Sequence, residues 1–99
     1  MLYRHVNKTL GRIEAEPDYN GGYSEAIVQA FRERMRTIIR VGNENDLRAL
    51  KSLHFEKLKG KRKGEYSMRI NDQFRLIFQI EPTEHGNQLV VTDIEKHYE

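Results

Sequence analysis

Cysteine and tryptophan are both absent from this 99-residue chain, and proline occurs only twice. Without cysteine there are no disulfides, no thiolate metal ligands and no thiol nucleophile, which suits a reducing compartment. His54-Phe55-Glu56 matches the first half of a zinc-deaminase signature, but that signature needs cysteines to complete its metal site. Long apolar runs are missing too. Nothing approaches the ~18 residues of a membrane-spanning helix, and no basic-then-apolar leader opens the sequence. Phosphate-loop, nucleophile-elbow and His-Glu-x-x-His motifs are likewise absent. The expectation is a single cytoplasmic domain over residues 1–99, with no membrane contact. Hydrophobic residues at 37% give it a thin but adequate core.

What is present is charge, unevenly spread. The chain totals +2, from 17 basic and 15 acidic residues. Residues 57–75 hold seven basic against two acidic residues, or +5, and residues 76–99 hold one against five, or −4. A near-neutral sum therefore hides a basic block suited to an anionic partner. Lys57, Lys59, Lys61, Arg62 and Lys63 form its densest part and are candidate RNA or phosphate contacts.

The periodicity predicts helices first and strands afterwards. Met1–Val6 fits an edge strand, and Asn7–Glu14 one or two helical turns. Pro17–Gly22 is dense in turn formers. Ser24 is a good N-cap for a helix whose stripe is Val28, Phe31, Met35, Ile38 and Ile39. Arg32, Glu33, Arg34, Arg36 and Arg40 lie mostly off that stripe and read as a solvated face. Gly42-Asn43 fits a left-handed closing cap, and Asn45-Asp46 the start of a shorter turn. After Gly64 the period becomes two: Tyr66, Met68 and Ile70, then Phe74, Leu76, Phe78 and Ile80. Asn71-Asp72-Gln73 separates these runs, and a turn over Pro82–Asn87 precedes a third strand at Leu89–Val91. The fold class is α+β, with N-terminal helices packed on a small antiparallel sheet.

The hairpin register carries the functional signal. With Asn71-Asp72-Gln73 as the loop, Ile70 pairs with Phe74, Met68 with Leu76 and Tyr66 with Phe78, which puts the apolar pairs on one face. Arg69 then lies opposite Arg75 on the other face. Facing like charges are destabilising unless an anion or a nearby carboxylate sits between them, and Arg grips phosphate bidentately. Of the four histidines, His85 falls in a turn and His5 on an edge. His54 and Glu56 precede the basic block, and His97 and Tyr98 lie in the tail. Groups of this kind around an Arg pair suit RNA cleavage. A base takes the 2′-OH proton, cations stabilise the phosphorane-like charge, and an acid protonates the leaving oxygen.

Lys51-Ser-Leu-His-Phe-Glu-Lys-Leu-Lys-Gly60 followed by Ser67-Met-Arg-Ile-Asn-Asp-Gln-Phe-Arg-Leu-Ile-Phe78 resembles the RelE/ParE toxin superfamily, most of all its HigB-like branch. The Ser-x-Arg-x-Asn-x-x-aromatic-Arg hairpin is its most specific part, and the likeness covers nearly the whole chain. The resemblance implies helices on a curved antiparallel sheet. It also implies a ribosome-dependent mRNA endonuclease that needs neither metal nor cofactor and is held inactive by a HigA-like helix-turn-helix antitoxin. Lys59, Arg69 and Arg75 match the family's basic active-site positions. The tail departs from the pattern, because Lys96-His97-Tyr98 replaces an expected Asp-Tyr-His order. Glu56 also stands where some relatives place histidine, with His54 two residues earlier. The general base and acid therefore stay open among His97, Tyr98, His54 and Glu56. Two other readings share these residues: a ParE-like gyrase inhibitor without nuclease activity, and an RNA-binding module without catalysis.

Overall fold

The computed structural model describes residues 1–97. Tyr98, one of the candidate proton-transfer groups, lies outside the described residues. The elements run β1 (Leu2–His5), α1 (Lys8–Ala15), α2 (Glu25–Arg40), α3 (Glu44–Ala49), β2 (Glu56–Lys57), β3 (Tyr66–Arg69), β4 (Phe74–Thr83) and β5 (Gly86–Lys96). Short 3-10 turns at Lys51–Leu53 and Gly60–Arg62 flank β2. None of these helices is long and apolar enough to cross a membrane.

The five strands form one sheet in the order β1-β5-β4-β3-β2. All neighbours are antiparallel except β1, which pairs parallel to β5. That exception departs from the all-antiparallel expectation. The chain crosses between β1 and β5 through every other element, and a long crossover is what a parallel pair requires. One face of the sheet packs on the helices. Leu10, Ile13, Phe31, Met35 and Ile38 from the helices meet Met68, Leu76, Phe78, Leu89 and Val91 from the strands, and all are buried.

Local chemistry sets the helix ends. Asn7 Oδ1 accepts from the Leu10 amide at 3.2 Å to start α1, and Ser24 Oγ from the Ile27 amide at 3.3 Å to start α2. The left-handed cap expected at Gly42-Asn43 is not made. α2 ends at Arg40 with Val41 extended, and the Met1 amino group bonds the Ile38 and Val41 carbonyls at 3.2 and 2.5 Å. Asn43 instead caps α3, its Oδ1 accepting from Asn45 and Asp46, so this helix starts before the expected Asn45. Gly21 takes a φ of +61° where a Cβ would lie 2.5 Å from Thr9 Cγ2, so the loop after α1 can fold onto it only as glycine.

The second hairpin is longer than its sequence suggests. β4 runs through Pro82, opposite Asn87, and only Glu84 and His85 turn. Past Phe78, β4 has no partner on the β3 side, so the missing amide of Pro82 leaves no ladder bond unmade. A bulge interrupts β5: Phe78 pairs with Val91, but Ile77 pairs with Asp93, leaving Thr92 as the extra residue. Thr92 Oγ1 donates to the Ile77 carbonyl at 3.0 Å. The bulge shifts the strand's alternation, so Ile94 faces the core while Glu95 joins Arg75 on the opposite face.

Candidate functional site

Across β3, β4 and β5 on the face away from the helices, the register aligns Arg69, Arg75 and Glu95 in one row. The Arg69–Arg75 apposition expected from the alternation is present, with Met68 opposite Leu76 and Tyr66 opposite Phe78. Both arginines are half-buried and line a cleft of about 270 Å³ with His54, Glu56, Ser67, Asn71, Asp72, Phe74 and His97.

Each wall has a reason to be where it is. Leu53 is buried and Phe55 packs on the core beneath Arg48, whose guanidinium carbon lies 4.8 Å from the ring centre. Between these two anchors His54 takes a left-handed conformation, φ 48° and ψ 52°, which turns it outward to the cleft. A non-glycine residue there is strained by about 1–2 kcal/mol. Glu56 faces Ser67 across β2 and β3. The hairpin tip is ordered by Asn71, whose Oδ1 accepts from the Gln73 and Phe74 amides at 2.9 and 2.8 Å. His97 is tied to the same tip, its amide donating to the Gln73 carbonyl at 2.7 Å.

The charges in the row are not balanced pairwise. Glu95 lies opposite Arg75, but Arg62 reaches over from the β2–β3 loop and takes both its oxygens, at 2.5 and 2.6 Å. Arg62 also donates to Glu65 at 2.6 Å. These bonds raise the Arg62 pKa, through Glu95 first and Glu65 second. Arg62 likewise holds the Glu95 carboxyl below the usual carboxylate range, with Arg75 adding a smaller pull. Arg75 Nε is buried without a hydrogen-bond partner among the described residues. A buried cationic N–H left unbonded costs about 1–3 kcal/mol or more, so its open donor favours an anionic ligand.

The candidate set thus divides. His54, Glu56, Arg69, Arg75 and His97 converge on the cleft, while Lys57, Lys59, Lys61 and Lys63 are exposed around β2 and its following turn without lining it. Arg62 stands apart from the other basic residues, as the clamp on two carboxylates. Sequence reading missed Ser67, Asn71, Asp72 and Phe74 as cleft residues. The Asn-Asp-Gln turn signal was visible, but nothing in it says that the turn borders a cavity. The basic face of α2 is also not simply solvated. Arg32 binds the Ile13, Glu16, Pro17 and Tyr19 carbonyls at 3.0–3.2 Å, closing the end of α1.

No curated protein matches the chain. Solved structures share its fold, two toxins among them. A YoeB/ParE toxin from Agrobacterium tumefaciens superposes with a TM-score of 0.58 at 19% identity, covering 99% of this chain and 100% of that one. A YoeB-YefM complex from Staphylococcus aureus gives 0.54 at 21% identity, covering 99% of each chain. Residues 5–97, which run from the last residue of β1 to the last described residue and hold both arginines, match the family model of the HigB-like toxins, described as RelE-like toxins of type II toxin–antitoxin systems. With the helix-backed sheet and the hairpin motif both in place, the chain belongs to that HigB-like family of RelE-like toxins.

Proposed function

We propose that this toxin is a ribosome-dependent mRNA endonuclease whose scissile phosphate binds between Arg69 and Arg75. The observation that carries the reading is the Arg69–Arg75 apposition with Arg75 Nε unbonded and the facing carboxylate of Glu95 held by Arg62. A fold with no anionic ligand to hold gains nothing from that arrangement. In the reaction, the 2′-oxygen forms a bond to phosphorus as the bond to the 5′-oxygen breaks. A base takes the 2′-OH proton and an acid protonates the departing 5′-oxygen. The two arginines stabilise the charge that builds on the non-bridging oxygens. His54 and Glu56 flank one side of the cleft and His97 the other, with Tyr98 next in sequence, so the base and acid come from opposite walls. Because the substrate supplies its own nucleophile, no metal or cofactor is called for.

Lys57, Lys59, Lys61 and Lys63 extend the positive surface beyond the cleft, where flanking RNA of the ribosome or message would track. A HigA-like helix-turn-helix antitoxin is the proposed inhibitor, and the cytoplasm the site of action. One of the matching structures is itself titled as a YoeB-YefM complex.

The test is to express the chain and map transcript 5′ ends with and without translating ribosomes. Cleavage within translated codons, lost in Arg69→Ala and Arg75→Ala, supports the reading. Intact message with accumulating gyrase–DNA breaks sinks it in favour of a ParE-like gyrase inhibitor. RNA binding without cleavage would leave a non-catalytic module.

A further inference from the structure

Arg34 lies on α2 and does not line the cleft, yet its half-buried guanidinium reaches the end of β3. Nε donates to the Arg69 carbonyl at 2.7 Å, and Nη2 approaches the Ile70 carbonyl at 3.5 Å. Both acceptors are open because of the sheet's shape. β2 spans only Glu56–Lys57 and pairs no further along β3 than Ser67, so the outer edge of β3 beyond Ser67 has no strand partner. The Ile70 amide donates to the Phe74 carbonyl, which makes that pair the hydrogen-bonded one. By the antiparallel alternation, Arg69 and Arg75 are then a non-hydrogen-bonded pair, whose main-chain groups point away from each other. The Arg69 carbonyl therefore projects from the uncovered edge. The Ile70 carbonyl is left as well, since Asn71 Oδ1 accepts the Phe74 amide that would have bonded it.

We propose that Arg34 is a positioning residue that stands in for the missing strand, fixing the main chain at Arg69 so that its guanidinium stays opposite Arg75 in the cleft. This rests on the reading of that cleft as a phosphate site. Among the described residues no carboxylate forms an ion pair with Arg34, so two main-chain carbonyls are its partners. Glu33, its neighbour, pairs with Arg36 instead, at 2.8 Å. A pair of donors on adjacent carbonyls restrains both the position and the twist of the strand end. Close to a reacting centre, a misplacement of about 1 Å costs on the order of 100-fold.

The experiment compares Arg34→Met, Arg34→Lys, Arg69→Ala and the Arg34→Met/Arg69→Ala double variant in the full chain. The readouts are melting temperature, affinity for a short single-stranded RNA by fluorescence anisotropy at low salt, and KM and kcat for cleavage of translated message. Arg34→Met is expected to weaken RNA binding about tenfold and to lower kcat further, with Arg34→Lys recovering part of both. In the Arg69→Ala background the same replacement is expected to change binding less than about twofold, because its route of action is already gone. Should Arg34→Met melt below assay temperature, Arg34→Gln keeps one donor for the Arg69 carbonyl and carries the comparison. A lowered melting temperature with unchanged affinity and kcat overturns the proposal, as does a full additional loss in the double variant. If wild-type RNA binding is itself insensitive to Arg69→Ala, the phosphate-site reading falls, and this inference falls with it. Arg69-dependent binding that ignores Arg34→Met removes this inference alone.

Discussion

Arg75 faces Glu95 across β4 and β5, yet the carboxylate belongs to Arg62, which holds both its oxygens from a loop on the far side of β3. The clamp keeps a negative charge from collapsing onto the arginine that would hold phosphate. Replacing Arg62 by Met should release Glu95 to pair with Arg75. RNA affinity is then expected to fall about tenfold, the equivalent of ~1.4 kcal/mol. Glu95→Gln should raise affinity instead. Because both side chains are about one-third exposed, at 34% and 31%, the stability change from the lost pair should stay within about 1 kcal/mol. Anisotropy titrations and thermal melts of the two variants check the opposite signs.

The Arg69–Arg75 pair opposes folding stability. Like charges facing each other across strands are destabilising, with cross-strand pairs worth roughly 0.2–1 kcal/mol. Arg69→Ala is therefore expected to melt no lower than wild type, or slightly higher at low salt, while losing activity by at least about 100-fold. Chemical denaturation at 20 mM and 500 mM salt checks this. A gain that persists undiminished at high salt would assign it to something other than charge.

His54 takes a φ of 48° between buried Leu53 and partly buried Phe55. His54→Gly removes a strain of about 1–2 kcal/mol and also frees the unfolded chain, which offsets part of the gain. His54→Ala keeps the strain and loses the ring. The glycine variant should thus be at least as stable as the alanine variant, while both lose cleavage activity to a similar degree. Parallel urea titrations and cleavage assays measure the two effects separately.

Tyr3 donates to Glu14 Oε2 at 2.7 Å, while the other oxygen of Glu14 contacts His5 Nε2 at the same distance. Burial, followed by the Glu14 bond, pushes the Tyr3 hydroxyl up to about 12 from its ordinary 10.0. The folded chain keeps this proton where the unfolded chain releases it. The associated stability is therefore complete below pH 10 and lost as pH rises toward 12. Tyr3→Phe should remove that part of the alkaline slope, read as the difference in urea midpoints between the two proteins from pH 9 to 12. Lysine titration in the same range is common to both and cancels.

Much of this architecture was legible because the two periodicities are clean. Val28, Phe31, Met35 and Ile38 repeat at helical spacing and are buried. The run from Tyr66 to Ile80 alternates around a turn that admits one register, and that register alone placed Arg69 against Arg75. Pairing partners distant in sequence were not legible. Nothing in Leu2–His5 announces a parallel neighbour in β5, and no local signal marks Thr92 as a bulge. Basic residues hid their differences as well. Arg62 sits among lysines and Arg34 among arginines, and only the carboxylates and carbonyls around each one separate a clamp or a strand substitute from a solvated cation. Composition records charge, whereas role depends on which main-chain groups the fold leaves open.

Thr92 gives this toxin two reading phases within one strand. Before it the odd residues Leu89 and Val91 enter the core, and after it the even residue Ile94 does, which frees Glu95 for the opposite face. Deleting the codon for Thr92 would therefore remove the bulge and spare the site: Ile77 still meets Asp93, Leu76 still meets Ile94 and Arg75 still meets Glu95, now in an unbroken ladder. One residue inserted between Asp93 and Ile94 does the opposite. It would set Ile94 beside Arg75, turn Glu95 inward and leave Arg62 without its main anchor. Along this strand, relatives are free to gain or lose a residue at the bulge, but past it length can change only in pairs of residues or together with the site.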